Sequence, residues 1–178
     1  MSLSSAQASL SRDFYEFVRL IGEAKSKQEE DRLILRELAY LKTQLGTPRM
    51  SKKNIREIVM RVIHAEMLGH EASVGYMKAV ELCASPDILS KRIGYLACGL
   101  VLSPEHEFRV MLVNQLGRDL VSKNRLEVCT ALVGVSWLVN ADMIPALISQ
   151  VIGLLDHDSE VVRKKAVRCA SLQQARPT

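Results

Sequence analysis

A helical segment that recurs at a nearly constant interval constrains this chain more than any other feature. The segment KRIGYLA places Gly94 inside an apolar stripe. The segment VCTALVG places Ala131 in the same position, and RKKAVRC places Ala166 there. These small residues are 37 and 35 positions apart, an interval typical of stacked helical hairpins. The repeat therefore predicts an α-solenoid, which offers partners an extended surface, rather than an enzyme built around a pocket.

Composition agrees with a helical chain. Hydrophobic residues make up 48% of the 178 residues, whereas aromatic residues make up only 4%. Leu, Val, Ile, Ala and Met carry the apolar mass, and unbranched or small side chains lose little freedom in a helix. The net charge of +4 is weaker than nucleic-acid-binding domains usually carry, and a binding motif is not recognisable. We therefore do not expect a nucleic-acid partner.

Apolar residues recur with helical spacing along almost the whole chain. The pattern predicts an all-α fold of about nine helices without strands, at residues 11–23, 27–45, 51–69, 73–84, 87–102, 105–122, 125–140, 142–155 and 158–171. Connections are short, so consecutive helices should pack as antiparallel hairpins. Gly94 and Ala131 are expected where neighbouring helices cross closely. We expect one helical-repeat trunk over 11–170, preceded by a flexible segment 1–10 and followed by a polar tail 171–178.

Several helix ends carry residues that favour a start or a stop. The predicted starts are a capping box at Ser26 with Glu29, another at Asn124 with Glu127, a hydroxyl before a first-turn proline at Ser85–Pro86 and Ser103–Pro104, and Asp158. These residues can accept hydrogen bonds from the free N–H groups of a first helical turn. Gly46 and Gly69 follow periodic runs, as glycines do at helix C-termini.

Cysteine usage and the terminus predict a cytosolic protein. None of the four cysteines lies in a CxxC pair, and each has apolar neighbours; they are Cys83, Cys98, Cys129 and Cys169. We expect buried, reduced, structural thiols. The N-terminus lacks the apolar stretch of a signal peptide, and the longest nearly apolar run is far shorter than the ~20 residues that a membrane-spanning helix needs.

Sequence motifs of catalysis or metal binding are lacking. HExxH, GxGxxG, GxxxxGK[ST] and GxSxG do not occur. His64 and His70 flank Glu66 but are six positions apart, which is not the i, i+4 spacing of a helical zinc site. The acidic run Glu29–Asp31 lies among Lys25, Lys27 and Arg32 and predicts a solvated helix face with i, i+4 ion pairs. We expect a non-enzymatic protein without cofactor or metal.

A basic cluster between residues 42 and 61 is a candidate anion site. Its members are Lys42, Arg49, Lys52, Lys53, Arg56 and Arg61, against the single acid Glu57. Lys52, Lys53 and Arg56 fall in the first turns of a predicted helix, where cations oppose the helix dipole but where an anion is readily bound. Phosphoinositide headgroups are plausible ligands; ordinary solubilising charge is the alternative.

A second basic cluster opens the last predicted helix. It consists of Arg163, Lys164, Lys165 and Arg168. We expect its lysines to extend along a neighbouring helix, with their aliphatic stems on apolar surface and their charges in water.

An ordered set of segments resembles the N-terminal trunk of the large adaptin subunits of heterotetrameric vesicle-coat adaptors. The segments are SRDFYEFVRLIGEAKSKQEEDR, EMLGHEASVGYMKAVEL, KRIGYLACGLVL, LVNQLGRDLVSKNRLEVCTAL and MIPALISQVIGLL with SEVVRKKAV. They cover about residues 11–168. SKNRLEVCTAL and MIPA are most similar to the epsilon class of the fourth adaptor complex.

The resemblance implies a HEAT/armadillo-like solenoid and a non-catalytic coat subunit. Such a subunit assembles with a beta-type adaptin, a medium chain and a small chain, sorts membrane cargo and is recruited by an Arf-type GTPase. The epsilon class implies peripheral binding at the Golgi and trans-Golgi network without clathrin. The phosphoinositide site of alpha adaptins includes a Ser-Lys-Lys-Lys stretch, which corresponds here to Ser51, Lys52 and Lys53, with Asn54 in place of the third lysine; Arg56 and Arg61 could compensate.

After RKKAV the chain departs from the family pattern, since RCASLQQARPT replaces an apolar helix. Family large subunits are several times longer, so we expect a truncated or alternatively ended chain. Two other classes stay open at this point. One is a different helical-repeat scaffold, such as a coatomer-type or nuclear-transport protein, although EMLGH followed by KRIGYL at this spacing is not expected there. The other is an enzyme with an unrecognised site.

Overall fold

The computed structural model describes residues 11–47 and 50–174, with side chains as far as Ser171. Across these ranges the chain is all-α, as predicted, without a strand. The nine α-helices are α1 (Arg12–Gly22), α2 (Lys27–Leu45), α3 (Lys52–Met67), α4 (Tyr76–Cys83), α5 (Ile88–Val101), α6 (Phe108–Leu120), α7 (Arg125–Leu138), α8 (Ile144–Gly153) and α9 (Glu160–Gln174). The predicted flexible segment 1–10, Arg49 and residues 175–178 lie outside the described residues.

The number and order of the helices were predicted correctly, whereas several ends differ. Short 3-10 turns at Ser73–Gly75 and Ala141–Met143 occupy what the sequence assigned to the first turns of α4 and α8. The α9 helix runs to Gln174. The described part of the predicted polar tail is therefore helical.

The capping residues Ser26 and Asn124 act as predicted, but the reciprocal half of each capping box is absent. Ser26 Oγ accepts from the N–H of Glu29 at 3.2 Å, and Asn124 Oδ1 accepts from the N–H of Leu126 at 3.0 Å. The carboxylate of Glu29 instead accepts from the N–H of Lys25, and that of Glu127 accepts from the hydroxyl of Ser122.

Both Ser–Pro predictions were wrong. The N-cap of α5 is Asp87, whose carboxylate accepts from the N–H of Ser90 at 3.0 Å, because a charged acceptor suits the positive end of a helix better than a hydroxyl. Helix α6 begins only at Phe108, whose N–H donates to Nδ1 of His106. Ser85 and Ser103 therefore lie in the loops before these helices.

At three other helix ends, the predicted stops at Gly69 and Gly46 are correct, and the predicted cap at Asp158 is wrong. Gly69 has φ +88° and ends α3 in a Schellman motif, with the N–H of His70 bonded to the carbonyl of Ala65. Gly46 follows α2 in right-handed geometry. Asp158 does not cap α9, because that helix begins at Glu160 and Ser159 precedes it directly.

The chain forms two compact units, residues 1–74 and 75–178. In the described part of the first unit, α1 contacts α2 and α2 contacts α3. Its core is apolar and comprises Phe17, Ile34, Leu41, Ile58, Val59, Val62 and Ile63. Burying such side chains supplies most of the driving force for folding.

The second unit is a stack of three helical hairpins. Its pairs are α4 with α5, α6 with α7, and α8 with α9. Helices α5, α7 and α9 contact one another in succession and form one layer, while α4, α6 and α8 form the other. The three recurring segments of the sequence are therefore the three helices of one layer, which confirms the solenoid repeat.

The small residues of the repeat lie at tight contacts. A methyl group added to Gly94 would lie 2.6 Å from the backbone nitrogen of Cys83 and 2.9 Å from the carbonyl oxygen of Ala79. Helices α4 and α5 thus touch backbone to backbone, and no larger residue fits. Ala131 and Ala166 are fully buried in the equivalent turns of α7 and α9.

We expect Gly94→Ala to destabilise the second unit by about 1–3 kcal/mol, because a Cβ there meets backbone atoms that cannot rotate away. Gly153→Ala is the matched control. A Cβ at Gly153 meets nothing within 4 Å, so alanine should be neutral or stabilise by up to about 1 kcal/mol. Thermal unfolding followed by far-UV circular dichroism measures both; equal effects of the two substitutions would contradict the close contact.

Candidate functional site

Helix α3 begins with the three basic residues that the sequence proposed as an anion site, Lys52 and Lys53 in its first turn and Arg56 in its second. Ser51 is the N-cap, and its Oγ accepts from the N–H of Asn54 at 3.2 Å. Lys52 and Lys53 are exposed and Arg56 is half-buried. Among the described residues, this first turn carries no acidic side chain. Exposed cations beside the N–H groups of a helix terminus are the arrangement that binds phosphate groups.

Arg61 does not belong to this site, contrary to the prediction that it could compensate for the missing lysine. It is 6% exposed, its guanidinium donates to Glu37 at 2.7 Å, and Asp13 lies 3.8 Å away. The reason is its place in the helix, because Arg61 projects from the apolar face of α3 between Ile58 and Val62, both buried. Charge alone did not distinguish this buried arginine from the exposed lysines.

A cleft of about 430 Å³ opens beside Arg61, between α1 and α2. Charged groups dominate its wall, and several are already paired, Arg61 with Glu37 and Glu16 with Arg19. Ion pairs thus already engage Arg61, Glu37 and Glu16, and these three charges are less available to a ligand.

His64, Glu66 and His70, whose spacing does not fit a helical zinc site, have three different sets of partners. The imidazole of His64 packs against the rings of Phe14 and Phe17, and burial lowers its pKa. Glu66 accepts from the N–H of Ala72 at 2.7 Å. His70 Nε2 lies 3.1 Å from the carboxylate of Asp31.

Helix α2 presents the solvated charged face that the sequence predicted. Lys27 pairs with Glu30 at 2.7 Å and with Asp31 at 3.2 Å. Glu30, Asp31 and His70 lie close enough together to share a cation, but the ammonium of Lys27 already compensates the two carboxylates. The contact between His70 and Asp31 was not foreseen, because 39 positions of sequence separate them without a shared pattern.

A buried polar network in the second unit also escaped the sequence analysis. The ammonium of Lys91 contacts the carboxylate of Asp119, and both residues are at most 5% exposed. The hydroxyl of Tyr95 donates to the same carboxylate at 2.7 Å, and Gln115 donates to it at 2.8 Å. Glu127 lies 3.8 Å from Lys91. One carboxylate on α6 therefore holds α5, with a second carboxylate on α7 nearby.

The network affects the titration of its phenol. Burial and the hydrogen bond to Asp119 raise the pKa of Tyr95 well above its usual range. The phenol therefore stays protonated as a donor at any physiological pH, and the interaction between α5 and α6 is kept.

Arg109 forms a second buried connection. It is 6% exposed and donates to the carbonyl of Leu102 at 3.2 Å and to that of Leu138 at 3.0 Å. These carbonyls end α5 and α7, where helices present unpaired acceptors and partial negative charge. A single guanidinium from α6 thus caps two successive helices of the facing layer.

Three of the four cysteines are buried, as predicted, while Cys129 is half-buried. Cys83 Sγ lies 3.8 Å from Cys98 Sγ, and burial raises the pKa of the Cys83 thiol well above its usual range. A protonated thiol is a poor nucleophile, so these residues act as core side chains.

The basic cluster of α9 differs from its prediction at Lys164, whereas Lys165 is half-buried and its prediction stays open. Arg163 turns back to donate to the carbonyls of His157 and Asp158, and Lys164 pairs with Glu160 at 2.6 Å while remaining 75% exposed. Lys164 therefore does not extend along a neighbouring helix, because an acidic partner stands one turn away on its own helix.

We expect Asp119→Leu to cost about 3–5 kcal/mol of unfolding free energy, because it leaves the Lys91 ammonium buried without its partner. The double variant Lys91→Met/Asp119→Leu should be less damaging than Asp119→Leu alone, since it removes both charges. Chemical denaturation of Asp119→Leu, of Lys91→Met and of the double variant measures this coupling. Additive effects would contradict a buried ion pair.

Within residues 11–47 and 50–174, every helix is too short or too polar to cross a membrane.

Comparison with known proteins places the repeat in a family. The sequence profile described as "Adaptin N terminal region" matches residues 30–172. The chain is 45% identical over 157 residues to the AP-4 complex subunit epsilon of Arabidopsis thaliana, covering 88% of this chain and 17% of that protein. It is 42% identical over 164 residues to the AP-4 complex subunit epsilon-1 of Homo sapiens, covering 92% of this chain and 14% of the relative.

A weaker likeness extends to other adaptor subunits, for example 26% identity over 156 residues to the AP-1 complex subunit gamma-1 of Saccharomyces cerevisiae, covering 87% of this chain and 19% of that protein. The chain thus spans less than a fifth of the length of these relatives. The identities of 45% and 42% to these epsilon subunits favour an adaptin over the coatomer-type and nuclear-transport alternatives. With a helical stack in the second unit and a profile that covers most of the sequence, the chain belongs to the adaptin family and corresponds to its N-terminal region.

Proposed function

We propose that this chain serves as trunk of a large subunit, of the epsilon class, in a vesicle-coat adaptor complex. In this role it is a non-catalytic assembly element for intracellular protein transport and cargo sorting at the trans-Golgi network. The observation that carries the proposal is the adaptin profile match over residues 30–172, which coincides with a repeat of stacked hairpins. Its partners are a beta-type adaptin, a medium chain and a small chain, with recruitment by an Arf-type GTPase.

The structure of the second unit supports an assembly role in physical terms. Repeats that contact only their neighbours leave long faces of helices open to other proteins. The buried contacts of Lys91 and Arg109 join successive hairpins, so the exposed side chains of these faces keep fixed relative positions. A fixed surface lowers the entropic cost of binding a partner.

We extend the proposal to domain organisation and location. Residues 11–170 belong to the repeat trunk, and its last helix, α9, continues to Gln174. The complex acts at the cytoplasmic face of Golgi and trans-Golgi network membranes as a peripheral protein. Support comes from the continuous series of helices and from the epsilon-class relatives.

We propose that Lys52, Lys53 and Arg56 contribute a membrane contact to this peripheral binding, with a phosphoinositide headgroup as ligand. Two exposed ammonium groups at the start of α3 provide positive charge where the helix dipole already favours an anion. The charge of each lysine near an anionic bilayer surface is worth about 1 kcal/mol.

The assembly function predicts co-purification. The natural gene product that carries this trunk, affinity-tagged in its source cells, should recover a beta-type adaptin together with a medium and a small adaptor chain. Gly94→Ala should reduce this recovery by disturbing the stack, and Gly153→Ala should leave it intact. Recovery of none of the three chains with the unsubstituted protein would overturn the proposal.

The membrane contact predicts a charge-dependent affinity. Lys52→Glu/Lys53→Glu should weaken binding to phosphatidylcholine vesicles that contain a phosphoinositide by about tenfold or more at moderate ionic strength. The control Arg118→Glu/Lys123→Glu changes the net charge equally, at exposed residues of the second unit. Vesicle co-sedimentation measures both variants; equal weakening by both would show that only net charge matters and would remove the site.

A further inference from the structure

Three stacked helices of the second unit expose apolar side chains in register. Leu89 of α5, Leu126 of α7 and Val161 of α9 are separated by the repeat intervals of 37 and 35 positions. They are 41%, 57% and 58% exposed. Because α5 contacts α7 and α7 contacts α9, equivalent positions of these helices lie side by side, and the three residues form an apolar row across the layer.

The same face continues one and two turns further along each helix. A second row at the same intervals comprises Arg92, Cys129 and Lys164, and a third comprises Leu96, Val133 and Arg168. The steps of three and seven residues keep all three rows on one side of each helix. The three cations of this face are exposed. Lys164 is paired with Glu160, so Arg92 and Arg168 supply most of the positive charge beside the apolar rows.

A tryptophan of α7 lies against α5. The indole of Trp137 lies against Gly99, where an added Cβ would be 3.1 Å from the ring. Trp137 nevertheless remains 45% exposed. An indole held against a neighbouring helix and open to solvent on its other side is typical of the anchors at protein interfaces.

We propose that this face, defined by the three rows and Trp137, binds an acidic amphipathic helix of a partner protein, which lays its apolar stripe into the groove between α5 and α7. Leu100, four residues beyond Leu96 on α5, is 47% exposed. The stretch from Leu89 to Leu100 extends over three helical turns, about 16 Å, which matches a short helix in a groove. The proposal rests on the assembly function proposed above for the origin of the helix, and it adds the surface and the chemistry of the partner.

The charges favour this occupant over two others. A second copy of the chain, docked by the same face, would bring Arg92, Lys164 and Arg168 near their own equivalents, which like-charge repulsion disfavours. An anionic membrane would satisfy the cations. The apolar side chains, however, stand on two neighbouring helices that contact each other, and a partner helix can pack between two such helices, which a flat bilayer surface cannot do.

The single tryptophan of the chain allows a direct test with the intact 178-residue protein. The probe is a synthetic helical peptide with leucines at i, i+3, i+7 and i+11 and glutamates on both flanks of this leucine stripe, where they can reach the cations of the face. It contains no tryptophan, so the emission reports Trp137 alone. Binding should shift the emission to shorter wavelength and protect Trp137 from acrylamide. Two control peptides share its leucines: one has lysine for each glutamate, and one has the same composition in scrambled order.

Variants distinguish binding between α5 and α7 from binding at the opposite layer of helices. Val133→Asp and Arg92→Glu should each weaken binding of the acidic peptide at least about tenfold. The control Val110→Asp replaces an exposed valine of α6 and should leave the affinity unchanged within about twofold. Far-UV circular dichroism and the thermal midpoint show that each variant is folded. Isotope-edited NMR of the unlabelled peptide with labelled protein maps the contact even for a variant that loses stability.

Four results would overturn the proposal. Two concern the control peptides: the lysine peptide or the scrambled peptide binds as tightly as the acidic peptide. The other two concern the occupant: sedimentation shows that the Trp137 shift comes from self-association of the protein, or anionic vesicles cause a larger shift than the peptide does. Failure of the assembly function is distinguishable from these. If the adaptor chains fail to co-purify while Trp137 still responds to the acidic peptide, the adaptor role is contradicted and the peptide-binding surface stands. If the adaptor chains co-purify even with Val133→Asp and the peptide causes no change in Trp137 fluorescence, only the peptide-binding surface is contradicted.

Discussion

The backbone contact at Gly94 is the constraint on which the second unit depends. Within the single turn from Lys91 to Tyr95, α5 touches α4 through the glycine and reaches Asp119 of α6 through the lysine and the tyrosine. This one turn of α5 thus contacts α4, the other helix of its own hairpin, and also binds α6 of the next hairpin. Removing the glycine would force α4 and α5 apart, and the polar groups on either side of it would lose their alignment with α6.

The polar connections explain how a thin stack keeps a defined shape. A buried ion pair adds little net stability, but its geometry fixes how successive hairpins meet. Arg109 does the same at the other end of the layer by binding the last carbonyls of α5 and α7. These contacts set the register in which Leu89, Leu126 and Val161 stand side by side, so the interior of the stack determines the surface that a partner meets.

Sequence reasoning predicted the helices and the repeat because both depend on local periodicity. The Gly94 contact was predicted for the same reason, since a small residue inside an apolar stripe marks a close crossing. The network around Asp119 was not predicted, because 28 positions separate Lys91 from its partner and charged residues are normally solvated. Arg61 shows the reverse error: its charge indicated a surface site, while its position on the apolar face of α3 buried it. The anion site at Lys52 and Lys53 remains a prediction of charge and helix geometry.

The in-register stack of α5, α7 and α9 is the central claim, and dipolar electron paramagnetic resonance of spin-label pairs tests it most directly. In a variant whose four native cysteines are replaced, labels at 89 with 126, and at 126 with 161, should interact over about 10 Å, the spacing of packed helices. Labels at 89 with 161 should be separated by about twice that distance. Equal distances for the three pairs, or a 89–161 distance shorter than either neighbouring one, would contradict the stack.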